Sequence, residues 1–155
     1  MSDGVRSVEF ASENSSRMQY WIDRGGIIIG WAMSCSGDAE GGMARIQQSI
    51  DSYQRGGGGL HLCYAHTLLA ECLLQTGAVE AAEAELVRAG NVLSGQHPYY
   101  YDPERLRLLG ETRTRRGYWS EGATAFADAL ALADRFGSPP LRDLVLRSRG
   151  RLQPD

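Results

Sequence analysis

The residues with the most chemical promise are His61, Cys63 and His66, whose types are those of a metal site. On a helix, however, ligands must be three or four apart to share a face. Positions 61 and 66 are about 140° apart around a helix axis. Cys63 and Cys72, nine apart, fall on opposite sides of that helix. The spacing predicts no metal and no cofactor. Two glycine runs, Gly25 to Gly30 and Gly56 to Gly59, invite a phosphate-loop reading. Neither has the Gly-x-Gly-x-x-Gly order or a Gly-Lys-Ser/Thr ending, so a close-packed helix face and a connector explain them better. Nucleophilic catalysis needs a base held against a serine or cysteine. The three histidines, two on one helix and His97 in a loop, suggest no such pairing, and no acid–base carboxylate pair stands out. All 16 basic residues are arginine, which excludes lysine chemistry. The chain is expected not to be an enzyme.

Charge narrows the partners. The net charge is −3, so no global positive field would hold nucleic acid. Arg113, Arg115 and Arg116, like Arg147, Arg149 and Arg151, read as solvated helix ends that complement the dipole. The loop tyrosines Tyr99 to Tyr101 cannot all be buried, and exposed tyrosines suit interfaces. The alternative is that one or two pack the loop onto the preceding helix pair. No run approaches the roughly 18 apolar residues of a membrane span. The first ten residues lack the apolar core of a secretory signal, and three cysteines show no close pairing. A reduced, cytoplasmic setting without membrane contact is expected.

The elements that would carry these residues follow from an internal repeat. Gly37, Gly77 and Gly117 stand 40 residues apart. Small residues recur seven before them (Gly30, Ala70, Gly110) and five after (Gly42, Ala82, Gly122). A bulky residue recurs nine after (Ile46, Leu86, Phe126), and a small one twelve after (Ser49, Ala89, Ala129). Small residues let two helices approach, and the bulky one fills the space beside them. The glycine ends the first helix in the left-handed conformation, and a short link forces the second to run antiparallel. The pattern predicts helices at about 17–36, 39–55, 60–76, 79–94, 103–116, 119–136 and 139–151, the last closing the stack. Asp102 and Ser138 are expected as caps ahead of Pro103 and Pro139. Residues 1–15 are expected as a mobile polar tail, and 16–152 as one helical domain. The fold class is thus all-α, an α-α superhelix of about three helix pairs plus a capping helix.

Leu109-Gly110, Gly117, Gly122, Phe126 and Ala129, with Leu69-Ala70, Gly77, Ala82, Leu86 and Ala89, resemble the tetratricopeptide (TPR) repeat. Over about residues 26–152 the chain is similar to the C-terminal repeat region of bacterial cyclase-linked predicted ATPases and ATP-binding transcriptional regulators. The matched stretch holds none of their nucleotide-binding or cyclase segments, so none of those activities is carried over. The resemblance implies a scaffold for protein–protein interaction in signalling, with first helices lining a concave face. By register, that face comprises Arg24, Ile27, Trp31, Ser34 and Cys35; then Tyr64, Thr67, Glu71, Leu74 and Gln75; then Glu104, Arg107, Glu111, Thr114 and Arg115. One end is apolar and the other carries both charges, which suits a protein or peptide partner of the same character. Arg107 and Arg115 would meet its acidic groups and Trp31 would anchor an apolar one. The alternatives are a small-molecule sensor, with a pocket among Trp31, Tyr64 and Arg107, and a self-associating regulatory domain.

Overall fold

The computed structural model describes residues 3–56, 61–92 and 99–152, with side chains on the first helix at 15 and from 17 onward. They form seven helices: α1 (Asp3–Cys35), α2 (Ala39–Arg55), α3 (Leu62–Gln75), α4 (Val79–Val92), α5 (Asp102–Arg115), α6 (Trp119–Arg135) and α7 (Pro139–Leu152). The described residues include no strand. None of the described helices is long and apolar enough to cross a membrane. The chain divides into two compact units, Met1–His61 and Leu62–Asp155.

The 40-residue step is a repeated piece of geometry. Gly37, Gly77 and Gly117 have φ of 104°, 82° and 84°, and Gly137 after α6 has 60°. An L side chain is strained there; glycine is not. At Gly77 the amide donates to the Leu74 carbonyl (3.2 Å), and the next amide, of Ala78, donates to Leu73 (2.9 Å). This crossed pair satisfies carbonyls left over at the helix end. The same two bonds recur around Gly37, Gly117 and Gly137. Each turn folds the chain back into an antiparallel partner, which explains why the second helices begin where the register puts them.

In the first unit α1 packs on α2. A β-carbon on Gly30 would stand 2.6 Å from the Gly42 carbonyl and 2.8 Å from Ile46. Two glycines thus bring the backbones together, and Ile27, Ile46, Ile50 and Tyr53 are buried around them. In the second unit α3 pairs with α4 and α5 with α6, while α5 also meets α3, α4 and α7. Its core runs through Ala70, Leu74, Ala82, Leu86, Leu108, Leu109 and Ala125. A second cluster of Phe126, Ala129 and Val145 seats α7. Each fully buried leucine or phenylalanine contributes about 1.5–3 kcal/mol by leaving water.

Two local expectations are corrected. α1 starts at Asp3, inside the stretch 1–15 expected as a tail. No proline interrupts residues 3–35, so a formed helix can propagate backwards one hydrogen bond per residue. Asp102 is the first residue of α5 and not its cap; the cap position is Tyr101, which makes no side-chain bond. The Asp102 carboxylate instead accepts from Arg105 Nε at 2.6 Å. The run Gly25 to Gly30 is helical, as the repeat register predicts. Gly57 to Gly59 and His97 lie outside the described residues. One cap was not anticipated: Asp38 Oδ1 accepts from the Gly41 amide at 3.0 Å, opening α2.

Candidate functional site

The first helices of the second unit leave an open cleft of about 340 Å3. α3 contributes Glu71, Leu74 and Gln75, α5 contributes Arg107, Leu108, Glu111 and Arg115, and α7 contributes Arg151. Leu74 and Leu108 belong to the buried core and give the cleft an apolar floor.

Around that floor the charges are arranged in depth. Arg107 is 6% exposed. Its Nε and Nη2 donate to the two Glu104 oxygens at 2.8 and 2.5 Å. Nη1 donates to Glu111 Oε1 at 2.7 Å and to Ser148 Oγ at 3.0 Å. The Ser148 hydroxyl itself donates to Glu111 Oε1. Burial works against the guanidinium charge, but Glu104, then Glu111 and Glu71, outweigh it and hold its pKa above the ordinary value. Arg107 is therefore the fixed centre of a network tying α5 to α7. Bidentate pairing suits that role, because it fixes orientation as well as charge.

The outer layer is different. Arg115 Nη2 stands 3.9 Å from Glu111 Oε2, and Arg151 Nη2 stands 3.7 Å from Oε1. These side chains are 41% and 69% exposed. At such distances the pairs are loose, and each guanidinium retains donors toward the cleft opening. The result is an apolar floor beneath two exposed guanidinium groups flanking one carboxylate. This arrangement can hold an acidic or amide-rich segment with one apolar side chain.

Of the residues expected on the concave face, Glu71, Leu74, Gln75, Arg107, Glu111 and Arg115 line this cleft, and Glu104 joins through Arg107. Thr114 and Thr67 are buried. Tyr64 is half-buried under the loop tyrosines, its ring 4.5 Å from that of Tyr101. Tyr101 also meets Tyr99 and Tyr100, and Tyr100 reaches Phe136 at 6.0 Å while staying 55% exposed. Tyr101 thus packs on α3 through Tyr64. Arg24 and Trp31 are half-buried on α1 in the first unit. There Arg24 lies over the Trp21 ring at 5.6 Å, and Ile27 and Ser34 are buried.

Register reasoning missed Leu108, Ser148 and Arg151. A signal was present: the 40-residue step carries Leu68 and Leu108 to Ser148, and Glu71 and Glu111 to Arg151.

The two described histidines have separate partners. His61 Nε2 lies 2.6 Å from the Tyr20 hydroxyl, and burial together with Arg24 lowers its pKa. His66 Nδ1 donates to Glu85 Oε2 at 2.7 Å inside the α3–α4 pair. Among the described residues no group of three or more His, Cys, Asp or Glu could hold a metal ion. A smaller cleft of about 280 Å3 lies between α1 and α2, lined by Gln19, Tyr20, Asp23, Ser52 and Tyr53 among others. Asp23 is buried there and accepts from Gln19 at 2.8 Å.

Comparison with protein-family models, with curated proteins and with solved structures finds no match to this chain.

Proposed function

We propose that the chain is a non-catalytic, protein- or peptide-binding repeat module of the tetratricopeptide type, and that it grips its partner in the α3–α5–α7 cleft. One observation carries this reading. Arg115 and Arg151 stand exposed on either side of Glu111 above Leu74 and Leu108, while Arg107 beneath them is already satisfied. Recognition divides accordingly, with Arg107 shaping the site and the outer arginines meeting the ligand. The partner is a segment with an acidic residue beside an apolar one. Arginine also dominates interface energetics more often than most residues. An open cleft between helices suits an extended segment better than an enclosed small molecule.

The test is a peptide-display screen on the whole chain, followed by affinity measurement of the selected peptides. Arg115→Ala and Arg151→Ala should each leave the melting temperature unchanged. At least one should weaken binding roughly tenfold, or about 1.4 kcal/mol. If the selected peptides bind both variants as tightly as the wild type, this cleft is not the binding site.

A further inference from the structure

We infer that the groove between α1 and α2 binds a free α-amino acid with an apolar or aromatic side chain, its ammonium group held by Asp23. The groove belongs to the first unit alone, and the inference does not depend on the peptide cleft of the second. Gly26 and Gly30 bring α1 against α2; a β-carbon on Gly26 would collide with Ser49 Oγ. Toward the start of α1 the space between the helices opens into two clefts, of about 280 and 220 Å3. Both are lined by Gln19, Asp23 and Ser52, so they are two sides of one groove.

At the shared centre stands a carboxylate without a counter-charge. Asp23 is 5% exposed, and among the described residues it is bonded by the neutral Gln19 amide and by no cation. Gln19 Nε2 donates to Asp23 Oδ1 at 2.8 Å and reaches Ser52 Oγ, on α2, at 3.3 Å. A carboxylate offers about four acceptor positions, and one amide hydrogen fills one of them. Burying such a charge unpaired is costly, so a cationic group entering the groove would be held strongly. A metal ion would need further ligands, and no group able to supply them stands among the described residues. An ammonium group, with three donors and no acceptor, fits a carboxylate beside an amide.

The two sides of Asp23 define the rest of the ligand. On one side the groove is lined by Arg45 and Arg55, both exposed and, among the described residues, outside any ion pair. These arginines would repel a simple cation, as Asp23 would repel a simple anion. A zwitterion satisfies both, its carboxylate meeting the planar guanidinium donors. On the other side the groove is lined by Tyr20 and Tyr53, whose ring centroids are 5.7 Å apart. The Tyr20 hydroxyl lies 2.6 Å from His61 Nε2, which fixes that ring before any ligand arrives. The two rings offer an apolar or aromatic side chain a surface to pack on. In an α-amino acid the ammonium, the carboxylate and the side chain diverge from one carbon, matching the three features around Asp23.

Thermal unfolding of the full chain with L-phenylalanine, L-leucine or L-methionine is the first test. At about 10 mM at least one should raise the melting temperature by about 2 °C or more. N-acetyl-L-phenylalanine, which lacks the ammonium, and 2-phenylethylamine, which lacks the carboxylate, should shift it far less than L-phenylalanine does. In calorimetric titrations with the best of the three amino acids, Asp23→Asn should lose affinity at least roughly tenfold, and Arg45→Gln roughly threefold or more. Both variants should keep the helical circular dichroism, and Arg115→Ala should bind as the wild type does. No shift with any of the three amino acids would overturn the inference. So would an N-acetyl derivative that binds as tightly, unchanged affinity in Asp23→Asn, or binding lost in Arg115→Ala.

Discussion

A β-carbon on Gly110 would stand 2.9 Å from the ring of Phe126, across the α5–α6 contact. The ring is 2% exposed and held by its own cluster, so it has little room to give. Gly110→Leu should destabilise by roughly 1–3 kcal/mol, and Ala70→Leu, at the same register position, by a similar amount. Ala123→Leu, on the exposed face of α6, should change stability by less than about 0.5 kcal/mol. Urea titration of the three variants is the check. Equal effects at all three positions would contradict the packing described.

Arg107 should matter to stability before it matters to binding. Arg107→Ala would leave Glu104 and Glu111 without their shared counter-charge, which costs roughly 3–5 kcal/mol for a buried pair. Ser148→Ala removes one hydrogen bond of the same network and should cost about 1 kcal/mol. A melting temperature for Arg107→Ala equal to that of the wild type would show that the network contributes no stability.

Glu85 should make the fold sensitive to acid. Burial works to raise its carboxyl pKa, but the hydrogen bond from His66 and the charge of Arg88 outweigh it, and the folded value lies below the ordinary 4.5. A depressed carboxylate stabilises the fold above its unfolded pKa, and that contribution is lost as the pH falls through the folded value. Glu85→Gln should therefore be less stable than the wild type by roughly 1–3 kcal/mol at pH 7. The gap should narrow steadily below about pH 4.5. Urea titrations of both proteins at several pH values measure it, and a gap independent of pH would remove the charged pair from the account.

The thiols should separate by reactivity. Cys35 is exposed, while Cys63 and Cys72 are fully buried. Burial, with Asp102 nearby, pushes the Cys63 thiol up to about 11. Thiolate is the reactive form, so Cys63 is doubly protected. A thiol reagent at neutral pH should label one cysteine quickly, found at Cys35 by peptide mapping. The other two should follow only on denaturation.

How much of this was legible in the sequence depended on whether a residue's role is local. Gly77 and Gly117 announce their turns because only glycine tolerates the left-handed backbone, and Gly30 with Gly42 announces a close approach. Those constraints repeat, so spacing exposes them. The burial of Arg107 left no such trace. Glu104 and Glu111 are its neighbours three before and four after, a pattern equally suited to an exposed helix face. Ser148, which completes the network, lies 41 residues away on α7. α7 itself was expected to close the stack, yet it obeys the repeat register as a first helix does. The small column Gly30, Ala70, Gly110 continues to Gly150, where a β-carbon would meet nothing within 4 Å.

The glycine turns also set how the chain reaches its native state. Each joins two helices through about three residues, so the closest packing, such as Gly30 on Ile46 or Gly110 on Phe126, links residues sixteen apart in sequence. Contacts this local are formed without closing long loops, and the loop-closure entropy is correspondingly small. Folding should be fast, in the microsecond-to-millisecond range typical of helical proteins with low contact order. It can also start at more than one helix hairpin, as in other repeat arrays.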